Sequence, residues 1–193
     1  MKFFIRNFGC RATQADGAEL GSILAGRGCD AAHGPSDADL VILNTCTVTA
    51  SADEDVRREV RRVRRENPGA RILVTGCYAQ RVPAEVAGLP GVSWVVGNPD
   101  KMRIPDIVGI PCEGREGSLI EERTRPNLKI QDGCNNLCTF CIIPSVRGRS
   151  RSTPPDRVVE QVRDLAGKHR EIVLSGVNLG RWGRESHIRM RLA

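Results

Sequence analysis

Cys134, Cys138 and Cys141 stand as Cys-x-x-x-Cys-x-x-Cys, three thiols within eight residues. Thiolates at that spacing can wrap three corners of a single metal cluster. A structural zinc site takes four protein ligands, and the histidines, His33, His169 and His187, are all distant in sequence. A [4Fe-4S] cluster held by only three cysteines instead leaves one iron open to a small molecule. That open iron is a place where chemistry can occur.

A second set is dispersed. Cys10 follows Asn7-Phe8-Gly9, Cys46 follows Asn44-Thr45, and Cys77 follows Thr75-Gly76, each just after a short apolar run that reads as a strand. In a parallel sheet the loops at the carboxyl ends of the strands lie along one edge, where such folds bind ligands. Taken singly, each thiol reads as a buried cysteine. Repetition at three equivalent strand ends points to one shared ligand set, with Gly9 and Gly76 letting the backbone turn tightly beside a bulky group. Cys29, after the helix-ending Gly28, and Cys112 belong to neither set and read as bystanders.

These loops need elements to hold them. Strands are expected at Lys2 to Phe8, Leu40 to Leu43, Arg71 to Thr75 and Ser93 to Val96. Helices are expected at Gln14 to Arg27, at Ser51 to Glu66 with Ser51 as N-cap and Asn67-Pro68-Gly69 as terminator, and at Pro83 to Ala87. The alternation predicts a flavodoxin-like doubly wound α/β domain over residues 1–107. Residues 108–126 change to Gly, Pro, Glu and Arg without a period and read as a linker. A second unit, 127–193, offers a strand at Asn127 to Gln131, an amphipathic helix at Pro155 to Ala166 and a strand at Glu171 to Ser175, together one βαβ crossover. One crossover cannot bury both faces of a sheet, so this unit reads as incomplete. Val158, Val159, Val162 and Leu165 are expected to lie exposed for want of neighbours.

The 193 residues are 40% hydrophobic and 27% charged, an ordinary globular composition. Apolar runs such as Ile72 to Val74 and Trp94 to Val96 fall far short of the roughly 20 residues of a membrane span. Arg6 and Asn7 interrupt the N-terminus before a signal-peptide core forms. A cytoplasmic chain is expected, where reduced thiols favour metal or redox chemistry over disulfides. Lys and Arg number 29 against 23 Asp and Glu, giving +6 and compatibility with an anionic partner such as RNA. The six arginines between Arg57 and Arg65 fall at helical spacings beside Glu59 and Glu66 and read as a solvated helix face. Arg147, Arg149 and Arg151, next to the Cys134 loop, are the better candidates for phosphate contact. Their alternative role is ion pairing within the protein.

The Cys134 triplet after the first strand of a βα unit resembles the radical S-adenosylmethionine (SAM) superfamily. Together with Gly9-Cys10, Asn44-Thr45-Cys46-Thr47-Val48-Thr49, Gly76-Cys77-Tyr78-Ala79-Gln80 and the run Asp132 to Pro144 with Arg147-Gly148-Arg149, it resembles the methylthiotransferases within that superfamily. The resemblance implies that Cys134, Cys138 and Cys141 hold the [4Fe-4S] cluster that reduces SAM to a 5'-deoxyadenosyl radical. It implies that Cys10, Cys46 and Cys77 hold an auxiliary [4Fe-4S] cluster at which sulfur is methylated and delivered, so that an electron donor and a sulfur source are also partners. Phe140 would pack near the adenine of SAM, and Gly176 and Asn178 would contact SAM. Arg147 to Ser152 is most similar to the branch acting at C2 of N6-threonylcarbamoyladenosine 37 in tRNA. The first motif, Gly9-Cys10-Arg11-Ala12-Thr13-Gln14, departs from the Gly-Cys-Lys-Val-Asn-Gln common in that branch. Alternatives are methylthiolation of a ribosomal-protein aspartate, which the run Cys138 to Ser145 also resembles, and a non-catalytic two-cluster iron-sulfur fragment. Family members complete a six-unit partial barrel and add an RNA-binding domain; by that measure a C-terminally truncated chain is expected, of unknown oligomeric state.

Overall fold

A computed structural model describes residues 1–47, 50–112, 117, 125–185 and 192, with the side chains of Ala50 and Ser51 outside the description. The chain divides into two compact units, Met1–Glu121 and Glu122–Ala193.

The first unit begins with β1 (Lys2–Asn7), α1 (Arg11–Gly26), a short β2 (Asp30–Ala31) and β3 (Leu40–Thr45). It continues through α2 (Ala50–Glu66), β4 (Arg71–Gly76), α3 (Cys77–Arg81), α4 (Pro83–Ala87) and β5 (Val92–Val96), and then a 3₁₀ turn over Asn98–Arg103 and α5 (Ile104–Ile107). The strands form one parallel sheet in the order β2-β1-β3-β4-β5, which is the flavodoxin-like order. The expected doubly wound fold is therefore present, with β2 as a fifth strand too short to leave a pattern in the sequence.

The central strand β3 is buried at every position, so Leu40 to Leu43 form a continuous apolar run rather than an alternation. Alternate residues nonetheless feed opposite cores. Leu40 and Ile42 join Leu20, Leu24, Leu73 and Ile104 on the face covered by α1 and α5. Val41 and Leu43 join Ile72, Val74, Tyr78, Val86 and the α2 stripe Val56, Val60 and Val63 on the other. That stripe falls at i, i+4 and i+7, one face of a helix, and each valine is at most 1% exposed. Burial of a valine side chain stabilises by about 1.5–3 kcal/mol. After α2, Asn67 donates from Nδ2 to the carbonyls of Pro35 and Ala38, both at 2.9 Å, so the expected terminator also ties the helix end to the approach to β3. On the charged side of α2, Arg62 pairs with the expected Glu59 at 2.6 Å, a carboxylate that is buried rather than on a solvated face, and Arg58 pairs with Asp55 at 3.2 Å. Helix α2 starts at Ala50, ahead of the expected Ser51 cap, and α1 starts at Arg11 rather than Gln14, with Cys10 as its N-cap. Periodicity missed that first turn because Arg11 to Thr13 carry no large apolar residue.

In the stretch expected to be a linker, Ile110 is buried, and the Gly117 N–H donates to the Ala25 carbonyl at 2.7 Å; residues 113–116 and 118–124 lie outside the description. The second unit contains β6 (Asn127–Asp132), α6 (Ile143–Arg147), β7 (Arg151–Ser152), α7 (Pro155–Ala166) and β8 (Val173–Gly176). Its sheet runs β7-β6-β8, with β8 parallel and β7 antiparallel to β6. The core is small: Ile130, Val158 and Trp182, flanked by Leu128, Val162, Leu174 and Leu179. The expectation for α7 is corrected at Val158, which Trp182 helps to cover, at Val162, which packs on the same core, and at the half-buried Leu165, whereas Val159 is exposed. Trp182 is fixed by its indole N–H, donated to the Thr153 carbonyl at 3.1 Å.

Gly76 closes β4 at φ +99°, and a Cβ there would run into the backbone of Thr45 on β3. Gly76→Ala should therefore destabilise the first unit by about 2–4 kcal/mol, through left-handed strain and overpacking against backbone. Gly26→Ala, at a helix position with open space around it, should be neutral or stabilise by up to about 1 kcal/mol. Urea midpoints of the two variants should move in these unequal ways.

Candidate metal centres

Strand register determines where the first cysteine set can lie. Asn7, Asn44 and Thr75 are cross-strand partners on β1, β3 and β4, and Cys10, Cys46 and Cys77 follow them by three, two and two residues. All three thiols therefore occupy the carboxyl edge of neighbouring parallel strands. Between β1 and β3 the strand order reverses, the place where open α/β sheets form their ligand crevice. Cys46 and Cys77 are buried, and Cys10 is exposed. Gly9, at φ +104°, lies so close to Cys46 that a Cβ on it would overlap the Cys46 Cβ and come within 2.8 Å of its Sγ. Only glycine lets the β1 loop reach that sulfur.

Polar groups hold these loops from beneath. Asn44 donates from Nδ2 to Asn7 Oδ1 at 2.8 Å and to the Thr13 carbonyl at 2.7 Å. Thr45 donates its hydroxyl to the Thr75 carbonyl at 2.6 Å. The Cys10 sulfur lies 3.4 Å from the Thr13 hydroxyl, and the Cys77 sulfur accepts from Asn98 Nδ2 at 3.7 Å. On the α2 side, Thr47 donates to Asp53 at 3.3 Å, and Asp53 is in turn ion-paired with Arg81. The Tyr78 hydroxyl is pushed up by burial and by donating to Glu85, while Glu85 is held below the ordinary carboxylate range by that hydrogen bond and by Arg57. Two buried polar atoms in the layer, the Asn44 Oδ1 acceptor and the Thr75 hydroxyl, find no hydrogen-bond partner among the described residues.

In the second unit the Cys134 loop leaves the end of β6. Cys134 is buried, Cys141 half-buried and Cys138 exposed. The Cys134 sulfur accepts from the Asn136 N–H at 3.4 Å and from Asn178 Nδ2 at 4.0 Å. Asn178, which follows β8, is thus brought to the cysteine loop. Gly176 admits the close approach, since a Cβ there would stand 2.9 Å from both Gln131 Cβ and Leu179. Gln131, 2% exposed, joins the pieces: its Oε1 accepts from the Asn178 N–H at 2.7 Å, and its Nε2 donates to the Gly133 carbonyl at 2.8 Å and to Ser150 at 3.0 Å. Phe140 and Leu137 are 91% and 84% exposed at the tip of the loop, so neither serves the core.

Arg147 is corrected as a phosphate contact. It is buried and donates to Asp132 Oδ1 at 2.9 Å, while Lys129 binds the other carboxylate oxygen at 3.0 Å. Burial alone would push the Asp132 carboxyl up; the charges of Lys129 and Arg147 and their hydrogen bonds outweigh it and hold the group below its ordinary range. Arg149 and Arg151 are exposed. Among the described residues no three Cys, His, Asp or Glu side chains are already gathered as a metal-binding group. Each cysteine set shares an edge or a loop rather than a closed coordination shell. Donor type nonetheless fits soft, thiolate-bound iron, and the close Gly9 approach leaves room for a bulky group beside Cys46 at the sheet edge. Sequence reasoning missed Gln131, Asp132 and Asn98: the first two carry the signal of polar residues at a strand end just ahead of a cysteine loop, whereas Asn98 follows β5 in a segment without cysteine and leaves no such signal.

The domain described as uncharacterized protein family UPF0004 matches residues 2–97, and the radical SAM superfamily matches residues 128–190. The chain is 37% identical over 196 residues to the threonylcarbamoyladenosine tRNA methylthiotransferase MtaB of Bacillus subtilis, covering 92% of this chain and 44% of that protein. It carries a UPF0004 domain followed by a radical SAM domain. A second MtaB, from Aquifex aeolicus, is 37% identical over 95% of the chain and 49% of its own length. The tRNA-2-methylthio-N(6)-dimethylallyladenosine synthase of Novosphingobium aromaticivorans is 36% identical over 95% of the chain and 45% of its own length. The chain thus spans about half the length of the curated methylthiotransferases it matches, and each cysteine set falls inside its own matched domain. No helix among the described residues is long and apolar enough to cross a membrane.

Asp132→Asn removes the carboxylate that the buried Arg147 shares with Lys129 and should destabilise the second unit by about 3 kcal/mol. Denaturant titration followed by Trp182 fluorescence, in a Trp94→Phe background, should show the loss.

Proposed function

We propose that this chain is the cluster-bearing part of a cytoplasmic tRNA methylthiotransferase that places a methylthio group at C2 of N6-threonylcarbamoyladenosine 37. The carrying observation is the pair of cysteine sets, each at the carboxyl ends of its own sheet's strands and each inside its own matched domain. Relatives named for threonylcarbamoyladenosine and for dimethylallyladenosine stand at nearly equal identity; the run Arg147 to Ser152 favours the former. Cys134, Cys138 and Cys141 would hold one [4Fe-4S] cluster together with SAM, and Cys10, Cys46 and Cys77 a second. When bound, these groups supply the one-electron chemistry and the sulfur needed to functionalise an inert C–H bond.

The chain's own part is to bind and orient. Asn178 and Gln131 fix the base of the Cys134 loop, so that the loop starts from a rigid sheet end. Phe140 presents an unpacked ring on which an adenine can stack, and Gly176 keeps the end of β8 clear of Gln131. Arg149 and Arg151 meet tRNA phosphates, while Arg147 anchors the segment that carries them. An electron donor and a sulfur source complete the set of partners.

Anaerobically reconstituted protein should carry about eight irons per chain, two clusters of four. Cys134→Ala should remove about half of them and Cys46→Ala the other half, by iron and sulfide analysis. With SAM and a reductant, 5'-deoxyadenosine should form in the parent and not in Cys134→Ala. Zinc as the only bound metal would overturn the assignment.

Replacing Arg149 and Arg151 with alanine should weaken tRNA binding at low salt across sequences and reduce the salt slope by about one unit per lost contact. Arg147→Ala should instead lower stability, a difference that binding and denaturation measured side by side would resolve.

A further inference from the structure

The segment after β5 carries no cysteine, yet it touches the supports of two cysteine loops. Asn98 donates from Nδ2 to the Cys77 sulfur at 3.7 Å, and its backbone N–H donates to Gln80 Oε1 on α3 at 3.1 Å. Three residues on, Lys101 pairs with Asp16 at 2.9 Å, and both side chains are 2% exposed. Asp16 lies on α1, whose N-cap is Cys10. One short stretch of chain is therefore bonded on one side to Cys77 and α3, and on the other to the helix that begins at Cys10.

A buried ion pair is an expensive way to stabilise a fold. Two charges lose their water, and an apolar pair of similar volume often serves stability as well or better. What such a pair offers instead is a single satisfied geometry, because any slip of α1 against the 3₁₀ turn leaves both charges in an apolar interior. Asn98 acts through a different term. An N–H directed at a thiolate sulfur stabilises the more negative, reduced state of an iron-sulfur cluster and so raises its potential.

We infer that Asn98 and Lys101 are positioning residues for a cluster on Cys10, Cys46 and Cys77: the Lys101–Asp16 pair fixes the Cys10 end of α1 relative to Cys77, and Asn98 adjusts the potential through the Cys77 sulfur. This rests on the reading that those three cysteines hold a [4Fe-4S] cluster. The assignment needs no contact with SAM or RNA and concerns the sulfur-bearing site alone.

The test uses the full chain with Cys134, Cys138 and Cys141 all replaced by alanine, so that any iron belongs to the first unit. This parent should take up about four irons. Asn98→Ala should keep them and show a more negative midpoint potential in a reductive titration followed by electron paramagnetic resonance. Asp16→Leu with Lys101→Met removes both charges together, because Lys101→Met alone would strand a buried carboxylate. That double variant should retain the parent's circular dichroism and lose iron to a chelator about tenfold faster. An unchanged potential in Asn98→Ala overturns the role of Asn98, and an unchanged release rate in the double variant overturns the clamp. Failure of the double variant to fold would also overturn the clamp, since the pair would then be a requirement of folding; the Asn98 arm is decided separately. A parent that takes up no iron would instead refute the cluster reading itself.

Discussion

The parallel register of β1, β3 and β4 is the constraint on which the N-terminal site depends. Side chains alternate across a strand, so a slip of one residue on any of these three would send its apolar set to the wrong core. Leu40 and Ile42 cannot exchange places with Val41 and Leu43, because α1 waits on one face and the α2 valines on the other. Burial on both faces thereby fixes the ends of the strands to within a residue. Three cysteines from remote parts of the chain then share one edge without any contact among themselves being needed to bring them there.

The two units solve the same problem at different scale. The first has a large two-sided core and places a polar layer at the strand ends, where Asn44, Thr45 and Thr75 replace the valines and leucines found one turn of the pleat earlier. The second has only a few apolar residues around Ile130 and Trp182, and relies far more on polar joints. Gln131, Asp132 and Arg147 tie the end of β6 to the loops that follow β8 and α6. Single polar groups therefore carry more of the local geometry in the second unit than in the first.

Most of the scaffold was legible in the sequence because its long elements have strong periods. The α2 valines, the β3 apolar run and the Asn67-Pro68-Gly69 stop identify their elements without help. The two-residue strands β2 and β7 were not legible, since two residues have no period and are assigned only by the partner they pair with. Of the candidate site, the cysteines could be found by spacing and by their place after strands. Arg147 could not be sorted from Arg149 and Arg151, because a basic run says nothing about which arginine points inward; burial separates them, since Arg147 meets Asp132 at 2.9 Å in the interior while Arg151, 3.9 Å from the same carboxylate, stays exposed. Asp16 and Lys101 were equally hidden, being 85 residues apart and ordinary on their own segments.

None of Cys10, Cys46 and Cys77 belongs to either apolar cluster that holds the first sheet together. Small metal-dependent domains often acquire their folding free energy from the ion itself; here both apolar cores of the sheet are assembled from residues other than these thiols. On the proposed reading that these thiols hold a cluster, biogenesis would proceed in two separable stages, with the polypeptide folding first and a scaffold or carrier then meeting a preformed rim of thiols. Loss of metal under oxidative stress would in turn leave a folded apoprotein that can be repaired rather than degraded.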